Sequence, residues 1–247
     1  GHIHLAGNMH VNPLVYFRTT RPGDATSLVR IPTMVDTEVE KRVTYPRFMS
    51  GPGNSLVFRY RNGSSGKGND HYNIYDVEHA RWEALVDGPL TDGQGKMNGY
   101  FAAPTPGPDG WFHLVGVWRD TPDAATNHDP SYARSQDLLT WEKANGTPIA
   151  LPITRDSVDI VEPVPARQGV INGNCRLGFD LQGRPVVTYH RYDSEGNSQI
   201  YASRFTEGKW QVIQVSDWQG YRWDFGGGGS IPFDVRVGGI KAREDGI

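Results

Sequence analysis

Several stretches of this chain turn polar where an apolar, partly alternating strand pattern stops. Asn8-Met9-His10, Arg61-Asn62, Trp118-Arg119 and His190-Arg191-Tyr192 each follow such a run. His10 stands at one of these variable ends, where a later copy carries Arg119, and a titratable group there suits chemistry better than packing. Thr44-Tyr45-Pro46-Arg47-Phe48 joins a proline-constrained backbone to polar groups that an ordinary strand does not need, although a tyrosine simply packed on proline is the plain alternative. In Phe58-Arg59-Tyr60-Arg61-Asn62-Gly63 the arginines alternate, so Arg59 and Arg61 face one side of a strand, and either can hold a carboxylate through two parallel N–H bonds. Thr126-Asn127-His128-Asp129 adds hydrogen-bonding groups, with loop shaping as the simpler role for Asn127 and Asp129. Asp70 and His71 rank behind these. The glycine-rich stretch before them lacks both the Gly-Lys-Ser/Thr ending and the helix of a phosphate-binding loop.

The elements that must bring these ends together are read from internal repetition. Gly1-His2-Ile3-His4-Leu5-Ala6-Gly7 is matched by Gly110-Trp111-Phe112-His113-Leu114-Val115-Gly116, with weaker copies starting at Asn54 and Gly183. Each copy runs from a turn and an apolar strand to a second strand around a tyrosine, then to a tryptophan: Tyr75 with Trp82, Tyr132 with Trp141, Tyr201 with Trp210. Units of roughly 50 residues with about four short antiparallel strands have the size of propeller blades. The expected fold is therefore all-β, a β-propeller of four-stranded antiparallel blades. About four to five blades fit in one domain spanning 1–247, and a closed propeller needs more, so the chain is expected to be truncated at both ends. Equivalent strand ends of successive blades then face one funnel. His4 and His113, at matching positions inside apolar strands, read as packed histidines. Ser135 to Trp141 has the form of a shortened Asp box, with Asp137 accepting backbone N–H bonds. Glu38 to Arg42 reads as a solvated connection.

Composition narrows the function classes. Thirty glycines and 17 prolines in a chain that is 37% hydrophobic suit short strands and turns. The net charge of −3, without a basic block, argues against nucleic acid as a partner. No apolar run is long enough to span a membrane. The single cysteine, Cys175, reads as a buried small hydrophobe. Trp218, Tyr221 and Trp223 suit either a sugar-stacking platform or packing between blades.

Gly7-Asn8-Met9-His10, Thr44 to Phe48, Tyr60-Arg61-Asn62-Gly63, Trp118-Arg119-Asp120 and Thr126 to Asp129 together resemble the BNR-repeat propeller family, which includes ulvan lyases, rhamnosyl-glucuronate lyases and relatives described as rhamnosidases. The resemblance implies a secreted or periplasmic polysaccharide lyase that cleaves an acidic glycan at a uronic acid by β-elimination, with no cofactor required. It implies His10, Tyr45 and Arg61 as catalytic residues: Arg61 neutralises the uronate carboxylate while His10 and Tyr45 share the proton transfers. Asn8, Asn62, Arg119 and His128 are the implied substrate-binding residues. A further histidine of the family pattern falls upstream of Gly1. A rhamnosidase-like hydrolase would call for a pair of flanking carboxylates, and a carbohydrate-binding propeller would use the same residues without chemistry.

Overall fold

Alternating apolar residues between glycine-rich turns give short strands that bury one face or both. In the computed structural model, which describes residues 1–243, they form four antiparallel sheets and no α-helix. The chain divides into two compact units, Gly1–Ser64 with Gly68–Asp92, and Ser65–Lys67 with the residues from Gly93 on.

The first unit holds β1 (His4–Ala6), β2 (His10–Asn12), β3 (Tyr16–Thr19), β4 (Leu28–Arg30), β5 (Val43–Ser50), β6 (Leu56–Asn62), β7 (Asn69–Asp76) and β8 (Arg81–Ala84). They pair as a three-stranded sheet, β1-β3-β4, and a five-stranded one, β2-β5-β6-β7-β8. Met9, Leu14, Tyr16, Val43, Phe58, Tyr60, Tyr75 and Trp82 make the core of this unit. The second unit holds β9 (Asn98–Phe101), β10 (Thr105–Pro106), β11 (Phe112–Arg119), β12 (Asn127–Ser135), β13 (Trp141–Glu142), β14 (Pro148–Ile149), β15 (Asp159–Ile160), β16 (Arg176–Phe179), β17 (Pro185–Tyr192), β18 (Ser198–Thr206) and β19 (Lys209–Gln214). Strands β16 to β19 are a plain four-stranded meander, and β9 to β15 form the larger sheet around β11 and β12.

The four sequence copies fall on β1, β6, β11 and β17, one in each sheet. The two histidines of the closest copies do the same work. His4 Nδ1 lies 2.8 Å from the Tyr16 hydroxyl and His113 Nδ1 2.7 Å from that of Tyr132, and each histidine sits opposite an arginine, Arg18 or Arg134, two residues beyond its tyrosine. Asp137 accepts from the Leu139 and Thr140 amides at 2.8 and 2.7 Å, closing a turn that seats the buried Trp141. Cys175 is buried, and burial pushes its thiol up to about 12.

Two local expectations are corrected. Glu40, in the stretch read as a solvated connection, is 2% exposed; its carboxylate accepts from the amides of Met34 and Val35, both at 2.8 Å, and from the Thr33 hydroxyl at 2.7 Å, so it organises the loop before it. Trp223 is also buried, between His190, Phe225 and Phe233, and offers no ring face to a sugar.

Burial lowers the pKa of His71 and His190 to about 4. Both imidazoles are neutral in the folded chain, whereas in the unfolded chain they take up a proton near the ordinary histidine value of about 6.5. Between that pH and about 4 the unfolded state binds more protons, so stability falls as pH falls. For His190 the loss by pH 5 amounts to about 2 kcal/mol. Thermal melts from pH 7 down to 5 are expected to show a falling midpoint, and His190→Gln to flatten that slope; an unchanged slope would contradict this assignment.

Candidate functional site

The five-stranded sheet of the first unit is interrupted on two adjacent strands. Between the pairs His10–Thr44 and Asn12–Val43, β2 carries Val11 as an extra residue. Between the pairs Thr44–Arg61 and Arg47–Arg59, β5 fits both Tyr45 and Pro46 opposite Tyr60. Such bulges bend a strand and re-aim a side chain. Here they come with left-handed backbone at three residues other than glycine: Asn8, Val11 and Tyr45 have φ of 58°, 63° and 55°. Asparagine tolerates this region, but a β-branched valine and a bulky tyrosine do so at a cost of about 1–3 kcal/mol each. Polar side chains hold the distortion in place. Thr44 Oγ1 accepts from the Val11 amide at 2.8 Å, and Asn12 Oδ1 accepts from the His10 amide at 3.0 Å.

The bulged backbone brings three side chains together. The Tyr45 ring lies against the Arg61 guanidinium, 4.9 Å from carbon to ring centroid, and the His10 ring meets that of Tyr45 nearly at right angles with centroids 5.9 Å apart. His10 is exposed and Tyr45 is 46% exposed, whereas Arg61 is 2% exposed. The imidazole and phenol thus form a rim above a guanidinium floor. Sequence reasoning placed His10 at the end of the strand that carries His4. The chain instead leaves that sheet after Ala6 and joins the next one through β2, which is how His10 reaches Tyr45.

Beneath the rim, strand alternation sorts charge from core. Phe58 and Tyr60 join the apolar cluster, while Arg59, Arg61, Asp70 and Tyr72 share the opposite face of β6 and β7. His10, Thr44, Arg61, Asp70 and Thr91 follow one another across the sheet as successive pairing partners. Arg59 Nη2 donates to Asp70 Oδ2 at 2.8 Å. Burial pushes the Asp70 carboxyl up and the charges of Arg59 and Arg61 oppose it; burial works against the charge of Arg59, and the Asp70 carboxylate prevails and holds it protonated. His71 points to the other face, stacked on Tyr60 at 5.6 Å. Asp70 therefore belongs to this cluster and His71 does not. Asn8 is exposed, and Asn62 is half-buried at the end of β6, opposite Val43 and Asn69.

The second unit holds the remaining candidates. Arg119 ends β11, much as Arg61 stands one residue before the end of β6, and its guanidinium lies 5.5 Å from the Tyr100 ring. It donates to the carbonyls of Thr121, Pro122 and Asp123 and so ties down that loop. His128 is 8% exposed, with its ring nitrogens 3.1 Å from Asp120 Oδ1 and 3.0 Å from Asp129 Oδ2. Burial opposes the Asp129 charge, but hydrogen bonds from His128 and Arg155 keep its carboxyl below the usual range. Arg191, the third strand-end arginine, grips Glu162 with two bonds of 2.9 and 2.7 Å and stacks on Tyr201 at 3.9 Å; Tyr189 donates to the same carboxylate at 2.6 Å. Sequence reasoning missed Glu162, which sits in an irregular Val-Glu-Pro stretch with no periodicity to mark it. Among the described residues no group of three or more His, Cys, Asp or Glu side chains is arranged to hold a metal ion.

A family model described as BNR repeat-containing family member matches residues 1–218. No curated protein matches the chain. Of the solved structures, the polysaccharide lyase Uly1 is 18% identical with a TM-score of 0.70, over 87% of this chain and 57% of its own. An ulvan lyase described as belonging to the polysaccharide lyase family PL25, in complex with -[GlcA(1-4)Rha3S]-, is 13% identical with a TM-score of 0.63, over 86% of this chain and 55% of its own. The chain thus spans somewhat more than half the length of these structures, and the likeness gives it their propeller-type fold.

Proposed function

The chain belongs to the BNR repeat-containing family, and from that premise we propose that it is part of a secreted or periplasmic polysaccharide lyase that cleaves an acidic glycan at a uronic acid by β-elimination. The observation that carries this reading is the meeting of His10, Tyr45 and Arg61 on doubly bulged, strained backbone. Strain of this kind is retained where the position of a side chain matters. Two structures of the same fold are described as lyases, one of them bound to a glucuronate-containing glycan.

In the reaction the C5–H proton leaves to a base, the C4–O bond breaks, a C4=C5 double bond forms and the departing oxygen takes a proton from an acid. Arg61 supplies fixed positive charge to the C5 carboxylate, where negative charge grows in the transition state. Its burial against Asp70 and Tyr45 keeps it from reorganising as that charge develops. His10 and Tyr45 stand together above it and divide the roles of base and acid. Asn8 and Asn62, in the same unit, hydrogen-bond the sugar, whereas Arg119 and His128, in the second unit, are engaged by loop carbonyls and by two carboxylates. A hydrolase would need two carboxylates beside the bond. Asp70 is the carboxylate that pairs with Arg61 across β6 and β7, and its ion pair with Arg59 withdraws it from that role.

The test is the ultraviolet absorbance of unsaturated uronides when the full-length protein is incubated with ulvan and with rhamnosyl-glucuronate glycans. A rise with at least one of them is expected, and its loss in His10→Ala and Arg61→Ala. Glycan binding without any rise would overturn the lyase reading and leave recognition alone.

A further inference from the structure

We infer that the second unit carries a separate saccharide-binding site, formed where the chain turns back after β19, and that it takes a neutral sugar unit. Asp217, Trp218, Gln219, Tyr221, Asp234 and Arg236 line a cavity of about 700 Å³ there. Most of it lies beyond residue 218, where the family match ends.

The cavity has parts that sugar recognition uses: a wall made by the half-buried rings of Trp218 and Tyr221, which also pack on the core cluster beneath them, and the polar side chains of Asp217, Gln219, Asp234 and Arg236 in its lining. Trp218 and Tyr221 stand at 86° to each other with centroids 5.6 Å apart, both half-buried, while the neighbouring Trp223 and Val235 are core. The wall is held rigidly. Gln199, fully buried in β18, accepts from the Trp218 amide at 3.0 Å and donates to the Trp218 carbonyl at 2.8 Å. Two more bonds, Ser198 N–H to the Tyr221 carbonyl at 2.7 Å and Trp223 N–H to Ser198 Oγ at 2.8 Å, fasten the following turn. A site fixed in this way loses little freedom on binding. Asp217 and Asp234 outnumber Arg236 in the lining, so its net charge is negative and favours a neutral sugar over a uronate, in contrast to the arginine floor of the first unit. The inference stands whether or not that first site is a lyase.

Isothermal titration of the full-length protein with neutral rhamno- and xylo-oligosaccharides tests it. Saturable binding with a Kd on the order of millimolar is expected, weakened at least about tenfold in Trp218→Ala and weakened in Asp217→Asn. If thermal melts show that Trp218→Ala does not fold, Tyr221→Ala and Asp217→Asn carry the comparison. Absence of saturable binding, or binding that survives these changes, would overturn the proposal. Failure of the lyase reading is seen separately, as a missing absorbance rise with unchanged binding of neutral sugar.

Discussion

Tyr45→Phe is expected to slow glycan cleavage by about 10²–10⁴-fold while leaving the melting temperature nearly unchanged. The substitution keeps the ring, and with it the contacts to His10 and to the Arg61 guanidinium. It removes only the hydroxyl, which projects from a residue that is 46% exposed. A tyrosine that merely packed on Pro46 would tolerate the loss with no change in rate. The left-handed backbone at Tyr45 argues against that bland role, because packing alone does not call for a strained, bulged and half-exposed aromatic residue. The rate against pH is the additional readout. If Tyr45 exchanges a proton, its removal eliminates one limb of the profile and leaves the other.

Asp70→Asn is expected to destabilise the first unit by about 3–5 kcal/mol, because it removes the carboxylate that balances the Arg59 charge in a site where only 8% of that residue is exposed. The asparagine retains the size of the side chain and a hydrogen-bonding oxygen, so the effect isolates the charge. Arg59→Met combined with Asp70→Asn is expected to recover a large part of the loss, since buried ion pairs replaced as a whole by apolar groups often cost little. Chemical denaturation of the wild type, both single variants and the double variant measures the coupling. Additive losses would mean that the two residues act independently and that the floor beneath Arg61 is not organised by this pair.

The repeat was legible because propeller-type sheets reuse one strand pattern. His4 with Tyr16 and His113 with Tyr132 are the same hydrogen bond made twice, and the two histidines hold matching positions in the repeat. The arginine pair Arg59 and Arg61 was likewise visible, since strict alternation survives on β6. What escaped was long-range pairing. Nothing local to Gly7-Asn8-Met9-His10 announces that the chain changes sheets there, and bulges at Val11 and Tyr45 shift the register in a way that a period of two cannot reveal. Asp70 ranked low because its value comes from facing Arg61 across β6 and β7, whereas His71, its equal in sequence, faces the core. Glu40 looked solvated beside Glu38, Lys41 and Arg42, and only the amides it caps explain its burial. Arg61, Arg119 and Arg191 lie at or next to the ends of equivalent strands, yet Arg119 binds loop carbonyls and Arg191 binds Glu162. Position in the repeat identified the three arginines, and their partners distinguish them.

The most direct measurement is cleavage of a uronate-containing glycan by the full-length protein in water labelled with heavy oxygen, with the products read by mass spectrometry. Elimination by His10, Tyr45 and Arg61 predicts an unsaturated uronide lighter by one water than a hydrolysis fragment and, in products read before the anomeric oxygen exchanges with solvent, no label in either new end. Incorporation of the label at a new reducing end, with no unsaturated product, would contradict the account and assign the site to hydrolysis.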